Sequence, residues 1–261
     1  MKTSCSSWSY HRTMDAGKMD QMSWLKECAA IGLDGVELLN RHFPSTDADY
    51  LAKVKKACQD QYLTIAMVSA GGHLSVSDDA KRAEEVADIE RWTDVAHFLG
   101  APCVRFFCGS SKELDAGGKP LYDKVVQAIR QIVAKGQKYG ITMALENHGG
   151  TRADQLLSLM KDVDSPYLRF TLDTGNFPPT SQVGPDTYSS IQQCAPSAAI
   201  VHAKFFNVNA DGTDAEFDWH KIHSILQGAG FNGFMSIEYE GKDADEPATV
   251  KRVAKFLRTL R

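Results

Sequence analysis

TMALENH, residues 142–148, runs through mostly apolar residues into Glu146, and the same shape returns three times. RFTLDTG (169–175) reaches Asp173, AIVHAKFF (199–206) reaches His202, and FMSIEYE (234–240) reaches Glu238. These endpoints recur roughly thirty residues apart, about the length of one strand-plus-helix unit. A parallel β/α barrel assembles its active site in this way, from charged residues at the ends of several strands.

The same alternation extends back to the start of the chain. Candidate strands SCSSWSY (4–10), GVELLN (35–40), TIAMVSA (64–70) and CVRFFCG (103–109) complete a set of eight. Helical periodicity fills the intervals, as in Val86, Ile89, Trp92, Val95, Ala96 and Leu99, or in Val125, Val126, Ile129 and Val133. Ser77-Asp78-Asp79 predicts a capped helix start and Gly100 its end; Gly140 ends the next helix, and Asp218 caps WHKIHSIL. Eight such pairs in 261 residues, with no Pro/Gly/Ser linker, predict one (β/α)8 TIM-barrel domain spanning 1–261. A doubly wound sheet is the alternative, but the chain lacks its glycine-rich nucleotide turn.

Composition is that of an ordinary globular protein, 43% hydrophobic and 24% charged. A net charge of −4 gives no basic stripe, so no nucleic-acid partner is expected. The six cysteines (Cys5, Cys28, Cys58, Cys103, Cys108 and Cys194) have no CxxC spacing and sit in apolar segments, which predicts buried free thiols in a reducing compartment. MKTSCSSWSY lacks the pattern of a signal peptide, and no apolar run approaches the roughly 18 residues of a membrane span. The expectation is a cytoplasmic protein with no membrane partner.

Strand parity tests the site, because residues i and i+2 share a face. Met143, Leu145 and Asn147 oppose Thr142, Ala144, Glu146 and His148; Phe170 and Leu172 oppose Thr171 and Asp173. Val201, Ala203 and Phe205 oppose Ile200, His202 and Lys204; Ile237 and Tyr239 oppose Ser236, Glu238 and Glu240. If the more apolar face meets the helices, Glu146, Asp173, His202 and Glu238 all point inward at the barrel mouth. Three converging carboxylates repel one another at low dielectric, and a divalent cation is the natural compensation. Carboxylates with one imidazole suit a hard-to-borderline ion: Mn²⁺ is the expected one, with Mg²⁺, Co²⁺ or Zn²⁺ as alternatives.

Along essentially its whole length the chain resembles the xylose-isomerase-like TIM-barrel superfamily, specifically its sugar phosphate isomerase/epimerase branch. Tagatose/psicose 3-epimerases, inosose dehydratase and hydroxypyruvate isomerase are members. The resemblance rests on GLDGVEL (32–38), LGAPCVRFFCG (99–109), ALENH, LDTGN, VHAKF and GFNGFMSIEYEG (230–241). It implies that Glu146, Asp173, His202 and Glu238 bind one divalent metal. It also implies that Glu146 and Glu238 are the catalytic acid/base pair, removing and returning a proton through an enediolate. Many family epimerases carry a substrate-contacting His three residues after the strand-six Asp; here that position is Asn176.

Further substrate-binding candidates follow from position. Arg105 has inward parity and suits a hydroxyl, carboxylate or phosphate, or an ion pair with Glu37. Lys204 shares the face of His202, with a substrate oxygen or a structural salt bridge as its alternatives. His148 and Glu240 lie one step nearer the mouth than the ligands, at substrate or at a solvated rim. His73 follows strand three in a Gly-Gly loop. His11 and Trp8 border the first strand as candidates for the pocket wall, where a Trp could stack on a sugar face, although core packing is favoured for Trp8. His42, His97, His220 and His223 fall on loops or helices without catalytic importance.

The function expected is a divalent-metal-dependent isomerase or epimerase of a ketose or related polyol ketone, a small carbohydrate, with a homo-oligomer possible. A leaving group at the β carbon would turn the same chemistry into a lyase, either a dehydratase or a glycoside-cleaving enzyme. The remote alternative is an apurinic endonuclease, which shares the superfamily but needs a three-zinc cluster with additional histidines. A non-catalytic sugar-binding barrel is the last alternative, disfavoured because both acid/base carboxylates are present.

Overall fold

The computed structural model describes residues 1–260. The first half of the chain comprises β1 (Lys2–Ser6), α1 (His11–Asp15), α2 (Gln21–Ala30), β2 (Gly35–Leu39), α3 (Ala48–Asp60), β3 (Thr64–Ser69), α4 (Asp79–Leu99) and β4 (Cys103–Phe107). Next come α5 (Ser111–Tyr139), β5 (Thr142–Glu146), α6 (Ala153–Val163), β6 (Leu168–Asp173) and α7 (Thr187–Cys194). The chain ends with β7 (Ala198–Phe205), α8 (Trp219–Gly228), β8 (Phe234–Tyr239) and α9 (Glu246–Thr259). All strands pair in parallel in sequence order, and β1 pairs with β8 to close the barrel. The predicted (β/α)8 architecture is therefore the one observed.

Its punctuation is chemical. The Asp78 carboxylate accepts from the backbone N–H groups of Ala80 and Lys81 at 2.8 and 3.2 Å, and α4 stops where Gly100 turns left-handed at φ +78°. Ser110 and Glu113 form a reciprocal capping box on α5, which Gly140 ends in the same left-handed way. Asp218 caps α8 by accepting from the Lys221 N–H at 3.0 Å. All six cysteines are free and buried.

The main apolar core lies between the strands and the helices and includes Trp24, Val68, Ile129, Leu145, Phe170 and Trp219. A second, smaller cluster of Ala66, Met67, Cys103, Ala144 and Ile200 is separate from it. Cys103, Ala144 and Ile200 stand two residues before Arg105, Glu146 and His202, so by parity they form the apolar layer directly beneath the polar ones. That layer plugs the barrel and leaves chemistry only at the strand C-terminal ends.

The N-terminal strand departs from expectation. It covers Lys2–Ser6 rather than 4–10, and residues 7–10 form a 3-10 turn. The Ser6 hydroxyl accepts from the Trp8 N–H at 3.3 Å and diverts the chain across the mouth. Strands β5 and β8 also stop early, at Glu146 and Tyr239, leaving His148 and Glu240 on the loops beyond. Among the described residues no helix is long and apolar enough to cross a membrane.

Candidate metal centre

Register fixes the ligand level. Asp173 pairs with His202 across β6 and β7, and Lys204 pairs with Glu238 across β7 and β8. Ligand atoms of Glu146, Asp173, His202 and Glu238 all lie within 4.8 Å of one another, and all four residues are buried. Two ligands on opposite sides of one cation, each about 2.0–2.4 Å from it, stand up to about 4.8 Å apart, so one ion fits.

Asp173 Oδ2, His202 Nδ1 and Glu238 Oε2 are buried and make no well-directed hydrogen bond, and both carboxylate oxygens lean on the Lys204 ammonium instead. His202 Nδ1 faces Glu238 Oε2 at 3.1 Å, Asp173 Oδ2 at 3.4 Å and Glu146 Oε2 at 3.7 Å. Three carboxylates and one imidazole, with their free lone pairs turned toward a common point, are a donor set for a divalent cation.

Around this point each ligand is steered by a neighbour. His202 Nε2 lies 3.1 and 3.0 Å from the two oxygens of Glu37, which in turn accept from Ser69 Oγ at 2.6 Å and Ser236 Oγ at 2.7 Å. A carboxylate behind a ligating histidine fixes its tautomer and leaves Nδ1 for the metal. Asp173 is positioned through its backbone: its N–H donates to the Asn147 side chain and its carbonyl accepts from it, both at 2.7 Å. Asn176 Nδ2 donates to Glu146 Oε1 at 3.1 Å. Lys204 Nζ lies 3.0 Å from Asp173, 2.5 Å from Glu238 and 3.1 Å from Glu240.

Charge is distributed unequally over this cluster. Burial raises the Glu146 carboxyl to about 8, although Arg105 and His202 oppose it. Burial also raises Asp173, against the pull of Lys204. For Glu238 burial is outweighed by His202 and Lys204, which hold its carboxyl well below the usual range. His202 itself would be lowered by burial, but Glu238, Glu37 and Glu146 raise it well above 6.5.

A cavity of about 270 Å³ opens above the cluster, lined by Glu146, Glu238, Arg105, His148, Asn176, Lys204 and Glu240 together with Trp8, Arg41 and Phe107. Five substrate candidates named from the sequence thus surround the ligand set. His73 is not among the lining residues; its Nε2 lies 2.7 Å from Glu113, and its side chain is 45% exposed. A larger hollow of about 380 Å³ at the opposite barrel end has no carboxylate or imidazole in its lining.

Several partners differ from expectation. Arg105 pairs with Glu146, at 3.3 Å from Nε to Oε2, while Glu37 serves His202. Trp8 is not core: it lines the cavity, stacks on His11 at 4.2 Å and donates its indole N–H to Glu240 at 2.8 Å. Phe107 went unnoticed in the sequence although it follows Arg105 by two residues; it stacks on His148 at 4.1 Å. Glu37 carried its own signal, a charge of inward parity inside the apolar run GVELL.

Residues 25–260 match the family model described as xylose isomerase-like TIM barrel. The chain belongs to that family. No curated protein matches by sequence. Among solved structures, an L-ribulose 3-epimerase shares 18% identity over 99% of this chain and 94% of its own, with a TM-score of 0.81. The IOLI protein with a bound zinc atom shares 16% over 100% and 98%, at 0.79. The probable 3-DHS dehydratase AsbF from Bacillus anthracis shares 19% over 99% of each chain, at 0.75. At these identities the likeness establishes the fold.

Proposed function

We propose that this chain is a divalent-metal-dependent isomerase or epimerase acting on a ketose or related polyol ketone through an enediolate. The observation that carries the reading is the convergence of Glu146, Asp173, His202 and Glu238 on one point, with the two glutamates lining one cavity. Glu146, Asp173, His202 and Glu238 would hold the cation, Mn²⁺ being the favoured ion. When bound, it supplies Lewis-acid polarisation of a carbonyl oxygen.

The chain's own residues do the rest. Glu146 and Glu238 both line the cavity beside the cation site, so the pair can serve as base and acid at the same carbon. One takes the proton next to the carbonyl and the other returns one. Lys204 and Asn176 are placed to donate to substrate oxygens, and Trp8 and Phe107 wall the cavity against water. Neighbours with this fold include the L-ribulose 3-epimerase, which is consistent with a sugar substrate.

A lyase reading has one observation in its favour. His148 lines the cavity, and burial followed by the charge of Arg105 lowers its pKa, favouring the neutral imidazole. A third titratable group there is suited to a leaving group, and the AsbF neighbour is described as a dehydratase.

Both readings are tested by metal analysis of the purified protein and incubation in D₂O with a ketose, a keto-inositol and a keto-glycoside. Deuterium at one carbon with substrate mass otherwise retained supports the isomerase; loss of water or an aglycone supports the lyase. Exchange without a divalent metal, or undiminished in Glu146→Gln, refutes the chemistry.

A further inference from the structure

Arg105 is the one cavity residue whose charge lacks an adequate partner. Its side chain is only 5% exposed, yet the guanidinium makes no hydrogen bond among the described residues, and its Nε is a buried orphan. Its nearest anion is Glu146 Oε2 at 3.3 Å, the same oxygen that faces His202 Nδ1 in the ligand cluster. The other oxygen, Oε1, already accepts from Asn176. Other carboxylates nearby are committed as well: Glu37 to His202, Glu240 to Lys204 and Trp8. A buried guanidinium left in this condition is costly, because its Nε–H has been removed from water without a replacement acceptor.

Its surroundings select what would satisfy it. The guanidinium lies 4.2 Å over the Phe107 ring, which fixes its plane and supports it from beneath. Phe107 itself stacks on His148, so the ring that carries the guanidinium is held in turn. A flat, fixed fork matches a flat two-oxygen anion, bound through two parallel N–H···O bonds. A pair of neutral hydroxyls would satisfy the donors and leave the buried charge without a counter-ion. A phosphate fits the same fork but brings a second charge, and Lys204 is already ion-paired with Asp173, Glu238 and Glu240, so a singly charged carboxylate matches the one charge to be met.

We propose that the substrate carries a carboxylate, that Arg105 braced on Phe107 is its receptor, and that the enzyme therefore acts on a polyhydroxy keto acid rather than a neutral ketose. This rests on the isomerase or lyase reading for the reaction at the carbonyl. The subsite itself is read by binding alone.

Metal-loaded protein is titrated by calorimetry with D-gluconate, with its neutral counterpart D-glucitol, and with inorganic phosphate. The expected result is gluconate at least tenfold tighter than glucitol and tighter than phosphate. In Arg105→Gln, and largely in Arg105→Lys, which keeps the charge without the fork, that preference falls to within about twofold at equal metal content. Equal binding of gluconate and glucitol, a preference for phosphate, or a preference that survives both substitutions overturns the assignment. A parallel deuterium-exchange assay compares 5-keto-D-gluconate with D-fructose. Absence of exchange with both, alongside an Arg105-dependent gluconate preference, rejects the proposed reaction and upholds the subsite; exchange confined to D-fructose overturns the subsite.

Discussion

Adding a divalent cation to chelator-treated protein should expel protons in nearly equal charge. At pH 7 a carboxyl with a pKa of about 8 is roughly nine-tenths protonated, and Glu146 has that value because it is buried. His202, held well above 6.5, is an imidazolium whose Nδ1 must lose its proton to bind a metal, while Nε2 stays against Glu37. Metal ligands have to be deprotonated, so roughly two protons should leave for each divalent ion at neutral pH. The cation's two charges then replace two protonic charges, and the buried cluster keeps its balance. Affinity should rise about a hundredfold per pH unit below about pH 7, and the dependence should weaken above about 8, where Glu146 ionises unaided while His202 still has a proton to lose. Calorimetry with Mn²⁺ in cacodylate, HEPES and Tris, whose ionisation enthalpies differ, counts the protons directly. Glu146→Gln should reduce the count by about one. Heats independent of buffer, together with flat affinity from pH 6 to 8, would refute the charge assignment.

Other consequences are equally concrete. Glu37→Gln leaves His202 without its carboxylate and should weaken metal binding by about 10–100-fold, read by competition with a chelating dye, while the far-ultraviolet spectrum is unchanged. Burial and the neighbouring Arg41 charge lower the His42 imidazole to about 4, so its contribution to stability is complete above about 6.5 and is lost as pH falls toward 4. A proton NMR titration should place the His42 midpoint near 4, and a midpoint near 6.5 would contradict its burial. Trp219, fully enclosed and stacked on Phe205 at 4.8 Å, should cost about 3–5 kcal/mol as Trp219→Ala in urea unfolding. Burial raises the Cys58, Cys103, Cys108 and Cys194 thiols to about 12, so a disulfide reagent should modify them at pH 8 only as fast as the chain unfolds.

The barrel was legible because its signals are local. Strand alternation, Asp78 and Asp218 as caps, and Gly100 and Gly140 as stops each depend on a few neighbouring residues. The convergence of Glu146, Asp173, His202 and Glu238 was legible for the same reason, since parity along one strand decides which side chains face inward. Partnerships across the barrel were not. Whether Glu37 meets Arg105 or His202 depends on the shear between β2, β4 and β7, and no single strand encodes it. Trp8 was misplaced because the diversion of the chain at Ser6 turns on a hydroxyl that could equally have pointed into a regular strand. His73 looked free in its loop because Glu113, its partner, is forty residues away at the start of α5.

The seam between β1 and β8 gives the centre a place in the order of assembly. Lys2–Cys5 pair with Phe234–Ile237, and Ser9 Oγ donates to the Ile237 carbonyl while accepting from the Tyr239 N–H. This is the longest loop the chain must close, and contacts so distant in sequence form slowly. Glu238 is carried on that last strand, so Glu146, Asp173 and His202 can gather early but stay an incomplete cage until the ring shuts. An ion bound by all four residues would fasten the end of the chain to its middle. Cation supply would then govern how long the closed ring survives as well as what it can catalyse.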